Sequence, residues 1–197
     1  MTYLEKANLW KNNSNLEANL RKELEAMTDN DLKEAFTNDL EFGTGGLRGI
    51  LGAGTNRMNI YIVNKATLGF GRYLASLGDD ALTRGVAISH DNRHQSVEFA
   101  RSSAEVLSSL GFKVYLFEAL RPTPELSFAV RHFHCIGGIM ITASHNPKEY
   151  NGYKIYDETG CQLVPKDADQ VIKEIEQIND YFNIDTTQNH ELIQYIG

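Results

Sequence analysis

The chain has 197 residues, 42% of them apolar and 23% charged, the balance of a globular protein with one sizeable core. Its net charge of −7 argues against a broad nucleic-acid surface, which needs clustered lysine and arginine, and no run approaches the roughly 20 apolar residues that span a bilayer. Cys135 and Cys161 make no disulfide framework, and the opening Met1-Thr2-Tyr3-Leu4-Glu5-Lys6 lacks a basic-then-apolar leader pattern, so the cytoplasm is the expected compartment.

Residues 4–40 read as helices. Leu16, Leu20, Leu24 and Met27 mark one apolar stripe, and Leu32, Ala35, Phe36 and Leu40 mark a second. Thr28-Asp29-Asn30-Asp31 between them supplies capping residues for a new start. This segment, residues 1–40, is expected to be a helical extension packed on a core. Glu41-Phe42-Gly43-Thr44-Gly45-Gly46-Leu47-Arg48-Gly49 follows, and its glycines allow backbone to approach a ligand closely. It is neither a Walker loop, since no Gly-Lys-Ser/Thr follows, nor a dinucleotide fingerprint, since Arg48 stands at the third glycine position. On spacing alone it reads equally well as a glycine-rich turn with a surface arginine.

From residue 60 onward helical and strand patterns alternate. Val63, Ala66, Phe70, Tyr73, Leu74 and Leu77 share a helical face ended by Gly78. Val86–Ile88 is a short strand; Val97, Ala100, Ala104, Leu107 and Leu110 form a second helix face; Lys113–Phe117 is a strand; Leu126, Ala129, Val130 and Phe133 mark a third helix. Tyr153–Tyr156 and Cys161–Val164 are expected to form a hairpin, and Pro165 to open a helix with Ala168, Val171, Ile172, Ile175 and Ile178 inward. After Asn179 the pattern lapses, and Ile193, Tyr195 and Ile196 close no element. The alternation predicts an α/β fold: a three-layer helix/sheet/helix domain over residues 41–180 with a mixed, mostly parallel sheet, preceded by the helical extension.

Ser89-His90-Asp91-Asn92-Arg93-His94 closes the strand at 86–88, and its Asp–Arg pair reads either as a structural clamp or as part of a site. His90 and His94 would suit a metal only on a shared helix, and Asp91-Asn92 reads instead as a turn. The chain's strongest signal lies further on. Ile136, Ile139, Met140 and Ile141 read as a buried strand, which runs into Thr142-Ala143-Ser144-His145-Asn146-Pro147 and stops at the proline. A serine and a histidine are thereby held where open α/β sheets place ligands. Lys154 returns ten residues later within Asn151-Gly152-Tyr153-Lys154, which makes Ser144 and Lys154 a candidate nucleophile and base. The plain alternative is a serine that closes a turn.

Thr142–Pro147 followed by Asn151–Lys154 resembles the phosphoserine loop of the α-D-phosphohexomutases, the phosphoglucomutase/phosphomannomutase family, over about residues 40–180. Gly43-Thr44-Gly45-Gly46-Leu47-Arg48 is similar to the family's first active-site loop, and the run on to Asn59 is closest to its phosphopentomutase-like branch. The resemblance implies that phosphorylated Ser144 passes its phosphoryl group to a sugar hydroxyl, and that the bisphosphate reorients and returns its other phosphate to Ser144. Lys154 would be the general base and acid, and Arg48 would steady phosphate charge. Thr44, Arg93 and His145 would help to hold the phosphate. Mg²⁺ would bind through the Ser144 phosphate, and a sugar bisphosphate would prime the cycle.

The resemblance also implies that the chain is the first of four domains, with residues 181–197 beginning a connection to the second. The family's Asp-x-Asp-x-Asp-Arg metal loop and its sugar-selecting loop do not occur in this sequence. The expected partners are a phosphosugar and the remaining domains of the same polypeptide, with no nucleic acid or membrane, and the chain alone is expected to be inactive. Two alternatives stand beside this reading: a non-catalytic phosphosugar-binding module, and a zinc hydrolase built on His90, His94, His132 and His134.

Overall fold

The computed structural model describes residues 1–43, 45–187 and 189–197. Three helices come first, α1 (Tyr3–Asn12), α2 (Ala18–Ala26) and α3 (Asp29–Phe36). Thr2 caps α1 and Thr28 caps α3, each in a reciprocal capping box with the acid three residues on, Glu5 or Asp31. Their apolar stripes bury Trp10, Leu20, Leu24 and Phe36 in a cluster that Tyr61 joins from the main body. Tyr181 and Phe182 pack on it too, and the Trp10 indole donates to the Tyr181 hydroxyl at 2.9 Å.

The main body is β1 (Gly46–Ile50), α4 (Ile60–Ala75), α5 (Ala81–Arg84), β2 (Val86–His90), α6 (Ser96–Ser109), β3 (Val114–Phe117), α7 (Thr123–His132), β4 (Gly137–Ile141), β5 (Tyr150–Asp157), α8 (Pro165–Glu176) and β6 (Ile193–Ile196). The strands form one sheet in the order β1-β5-β4-β2-β3-β6. β4, β2, β3 and β6 run parallel, while β5 is antiparallel to both β4 and β1. Period-two alternation divides each central strand between two cores. Val86, Ile88, Ile139 and Ile141 face α4, α6 and α8, whereas Ala87, Met140 and Tyr156 face α7. β2, β3 and β4 are buried at every position, as strands covered on both sides must be. The α/β three-layer expectation is met.

Four local expectations differ from the structure. The glycine-rich segment is not all loop: Gly46–Ile50 is a strand, created by its long-range pairing with β5. The second hairpin arm, expected over Cys161–Val164, is reduced to one antiparallel bridge between Tyr156 and Gln162, made by the Asp157 amide to the Cys161 carbonyl at 2.8 Å and the Leu163 amide to the Ile155 carbonyl at 3.3 Å. Ile193–Ile196, which the sequence leaves unassigned at the start of a connection, adds β6 to the sheet beside β3. Leu77 and Val97, read as inward, are about half exposed, because Leu77 lies beyond the end of α4 and Val97 sits in the first turn of α6.

Gly46 is the residue on which the β1–β5 pairing depends. Its φ is +131°, and a Cβ there would lie 1.8 Å from the Tyr153 carbonyl oxygen. Gly46→Ala is expected to lower stability by more than about 1 kcal/mol, read as a lower urea midpoint with an unchanged m-value. An unaltered midpoint would mean that β1 does not pair this way.

Candidate active site

β4 delivers Ser144. The strand ends at Ile141, the Thr142 amide still bonds the Gly152 carbonyl of β5 at 3.0 Å, and the chain then turns sharply. Ser144 takes a left-handed conformation, φ 56°, that L-residues with a Cβ ordinarily avoid at a cost of about 1–3 kcal/mol. The turn exposes the side chain instead of burying it. The Ser144 amide donates to Thr142 Oγ1 at 2.9 Å, and Ser144 Oγ lies 3.3 Å from His145 Nδ1. Ser144 and His145 are therefore brought together at the sheet edge, as the motif implies.

β1 and β5 deliver the other two groups. Arg48 stands opposite Gly152 and Lys154 opposite Gly46, so Arg48 and Lys154 share one face of the sheet. Gly152 has no room for a side chain, since a Cβ would lie 2.5 Å from the Thr142 carbonyl. Strand and serine loop can thereby approach closely. Arg48 Nη1 donates to Asn146 Oδ1 at 3.0 Å, which ties the first loop to the serine loop. Lys154 is pulled below the usual lysine range, first by partial burial and then by the Arg48 guanidinium, both of which disfavour its ammonium form. An open recess of 340 Å³ lies beside these groups, lined by Gly43, Gly45, Gly46, Arg48, Lys154 and Gln162. A second, of 310 Å³, is lined by Asp91, Arg93, His94, Ser144, Asn146 and Lys148 among others.

Arg93 does something other than its expected phosphate contact. Nη1 donates to the carbonyls of Pro147 at 2.8 Å and Tyr150 at 3.0 Å, while Nη2 donates to those of Ser144 at 2.8 Å and Asn146 at 2.6 Å. Nε faces Asp91 Oδ2 at 3.5 Å. All five donors of the guanidinium are directed within the protein, leaving none for a phosphate oxygen. Arg93 is a clamp on the backbone of the serine loop, the structural alternative that the Asp–Arg pair offered. Thr44, the remaining expected phosphate contact, lies outside the described residues.

The other candidate groups do not converge. His90 is buried with Nδ1 2.9 Å from the Asp91 carbonyl, whereas His94, His132 and His134 are exposed. Among the described residues no group of three or more His, Cys, Asp or Glu side chains could hold a metal, so the zinc reading has no ligand set. Mg²⁺ does not fit this chain unaided either: Ser144 supplies one oxygen, and Asp91, the acid that lines the same recess, already accepts from the Arg93 amide and the Ser96 hydroxyl. Cys135 is buried, Cys161 is exposed, and both are free thiols. No helix among the described residues is long and apolar enough to cross a membrane.

Residues 39–182 match the family model described as phosphoglucomutase/phosphomannomutase, alpha/beta/alpha domain I. The chain belongs to the phosphoglucomutase/phosphomannomutase family. It is 42% identical over 174 residues to a phosphoglucomutase of Staphylococcus epidermidis, covering 86% of this chain and 31% of the relative. A phosphoglucomutase of Staphylococcus aureus is 41% identical over 172 residues, covering 87% and 31%. The chain thus spans about a third of the length of the curated relatives it matches. Among solved structures, a Thermus thermophilus protein assigned as a phosphomannomutase superposes with a TM-score of 0.66 at 32% identity, covering 81% of this chain and 33% of that one. Parafusin, a phosphoglucomutase from Paramecium, shares the fold with a TM-score of 0.60 at 21% identity, covering 72% and 27%. The match to the family's domain I takes in the α/β body from β1 through α8, and β6 lies beyond it.

The glycines that suggested a particular branch have a structural use. Gly54 (φ +134°) lets Ala35 of α3 come so near that a Cβ would lie 2.6 Å from its carbonyl oxygen, and Gly52 (φ +146°) does the same for the Glu23 carboxylate of α2. These glycines seat the helical extension on the sheet.

Proposed function

We propose that the protein carrying this chain is a phosphosugar mutase of the phosphoglucomutase/phosphomannomutase type, in which Ser144 carries the phosphoryl group between sugar hydroxyls. The observation that carries the proposal is the presentation of Ser144. It is exposed in a left-handed turn just past a fully buried strand, with Arg48 bonded into the same loop and Lys154 on the same sheet face as Arg48. In the forward half-reaction the Ser144 Oγ–P bond breaks as a sugar hydroxyl oxygen bonds to phosphorus, and the hydroxyl proton passes to the neutral Lys154 amine. The bisphosphate then reorients, its other phosphoryl group returns to Ser144 Oγ, and Lys154 gives the proton back to the departing sugar oxygen.

Arg48 supports the developing negative charge with a planar fork suited to phosphate, and His145 and Thr44 complete the grip. Local cations matter here because the chain as a whole is acidic and would repel a phosphosugar. A sugar bisphosphate primes Ser144. Mg²⁺ would be held by the Ser144 phosphate together with oxygen ligands from outside this chain, and would neutralise phosphate charge. The sugar-selecting surfaces also lie beyond it, so hexose and pentose phosphates both remain candidate substrates, and the cytoplasm is the proposed compartment.

The test is to incubate the full-length protein with a sugar bisphosphate carrying labelled phosphate and to map the labelled peptide. Label on Ser144 is expected. Label on another residue would overturn the assignment, and saturable phosphosugar binding without any label would favour the non-catalytic binding module.

A further inference from the structure

The turn between β2 and α6 contains a serine that no motif singles out. Ser96, the first residue of α6, is fully buried, and its hydroxyl donates to Asp91 Oδ1 at 2.8 Å. The Ser96 oxygen also accepts from Asn151 Nδ2 at 3.0 Å. Asn151 is fully buried as well; it donates to the His94 carbonyl at 2.9 Å and accepts from the Gly152 amide at 2.7 Å.

Followed in both directions, these bonds close a ring around Ser144. One arm runs from Ser96 through Asp91 to Arg93, whose guanidinium grips the Ser144 carbonyl at 2.8 Å. The other runs from Ser96 through Asn151 to Gly152, whose carbonyl accepts from the Thr142 amide, and Thr142 Oγ1 in turn accepts from the Ser144 amide at 2.9 Å. The backbone of Ser144 is thus fixed on both sides, at its N–H and at its C=O, and the two arms meet at one buried hydroxyl. The second arm lies on β5, the strand that carries Lys154 three residues further on.

The geometry points to Ser96 and Asn151 as positioning residues for phosphoryl transfer, acting through Asp91–Arg93 and Gly152–Thr142 to hold Ser144 in its left-handed conformation and in register with the Lys154 strand. The inference rests on the mutase reading above. A left-handed serine relaxes toward ordinary backbone angles once either side is released, and its Oγ moves away from the line of transfer. Misplacement of a reacting atom by about 1 Å can cost on the order of 10²-fold in rate. Neither residue touches the sugar, so substrate binding remains intact.

Two variants of the full-length protein test this. Ser96→Ala removes the meeting point. Asn151→Asp keeps the shape and the acceptor for the Gly152 amide but loses the donor to Ser96 and to the His94 carbonyl. The turnover measured is that per phosphorylated Ser144, counted by intact mass, so that misfolded protein is left out. Both variants are expected to lose roughly 10–100-fold in kcat on this basis, with KM within about twofold, and Ser96→Thr, which restores a hydroxyl, should recover part of the loss. Amide exchange over residues 142–147 should be faster in both variants. If kcat per phosphorylated site is unchanged while Tm falls, the two residues are structural only and the inference is overturned. A wild-type protein that never takes label at Ser144 would overturn the mutase reading on its own. The ring would then be judged by the exchange measurement, which needs no turnover: faster exchange supports it and unchanged exchange overturns it.

Discussion

Ser144→Ala in the full-length protein is expected to abolish mutase turnover while leaving the fold intact. The residue is exposed, and among the described residues its hydroxyl bonds to His145 alone, so its loss creates no cavity. Its backbone bonds to Thr142 and Arg93 do not involve the side chain and survive the change. What disappears is the oxygen that forms the covalent intermediate. Loss of the nucleophile in a covalent mechanism costs on the order of 10⁶-fold in kcat, which here would bring turnover below detection. Tm and phosphosugar affinity should stay close to wild type. Turnover above roughly a thousandth of wild type, against the full loss expected when a nucleophile is removed, would show that another group accepts the phosphoryl.

Lys154→Met should be the next most damaging change. Methionine retains an unbranched apolar stem beside the β1 loop and removes only the amine. General acid–base groups contribute typically ~10²–10⁴-fold, and the loss should fall on kcat with KM little changed. A loss confined to KM would make Lys154 a binding residue instead. The pH profile is a second readout. Burial and Arg48 both lower the pKa of Lys154, so the neutral amine that takes the proton becomes available at a lower pH than for a free lysine. The rate should therefore rise with pH through a limb below the ordinary lysine range, and that limb should vanish in Lys154→Met. Arg48→Met removes one of the two causes and should move the limb upward; a limb that stays put would belong to a different group.

Much of the fold could be read from local pattern. α4, α6 and α8 announce themselves through apolar faces at helical spacing, and Thr28 through its capping box. β2 and β4 show as short apolar runs. β1 could not be read that way, because Gly46 and Gly49 break any alternation and the segment is a strand only through its partner β5. β6 was hidden by its brevity, four residues at a sheet edge with little burial.

The site divides along the same line. Ser144, His145, Arg48 and Lys154 stand in contiguous motifs whose residue types suit phosphate chemistry. The use made of Arg93 depends on where its donors point, and that is fixed by a loop 51 to 57 positions away. Ser96 stands in no motif, and Asn151 opens the Asn151–Lys154 motif without any local sign of the part it plays. Asp91-x-Arg93-x-x-Ser96 could have been suspected as a turn closed by a side chain, but its link to Asn151 is purely tertiary.

The pairing of β1 with β5 also governs when the site can exist. Arg48 and its partner Asn146 are 98 positions apart, a high contact order for the contact that joins the two loops. On a ribosome adding about 5–20 residues per second, Arg48 emerges roughly 5–20 s before the β5 segment that must receive it. The three N-terminal helices, whose contacts are mostly local, can form within that interval. The nascent β1 segment meanwhile waits with its backbone unpaired. Its glycines are poor strand formers in isolation, so the segment becomes a strand only when β5 arrives to pair with it.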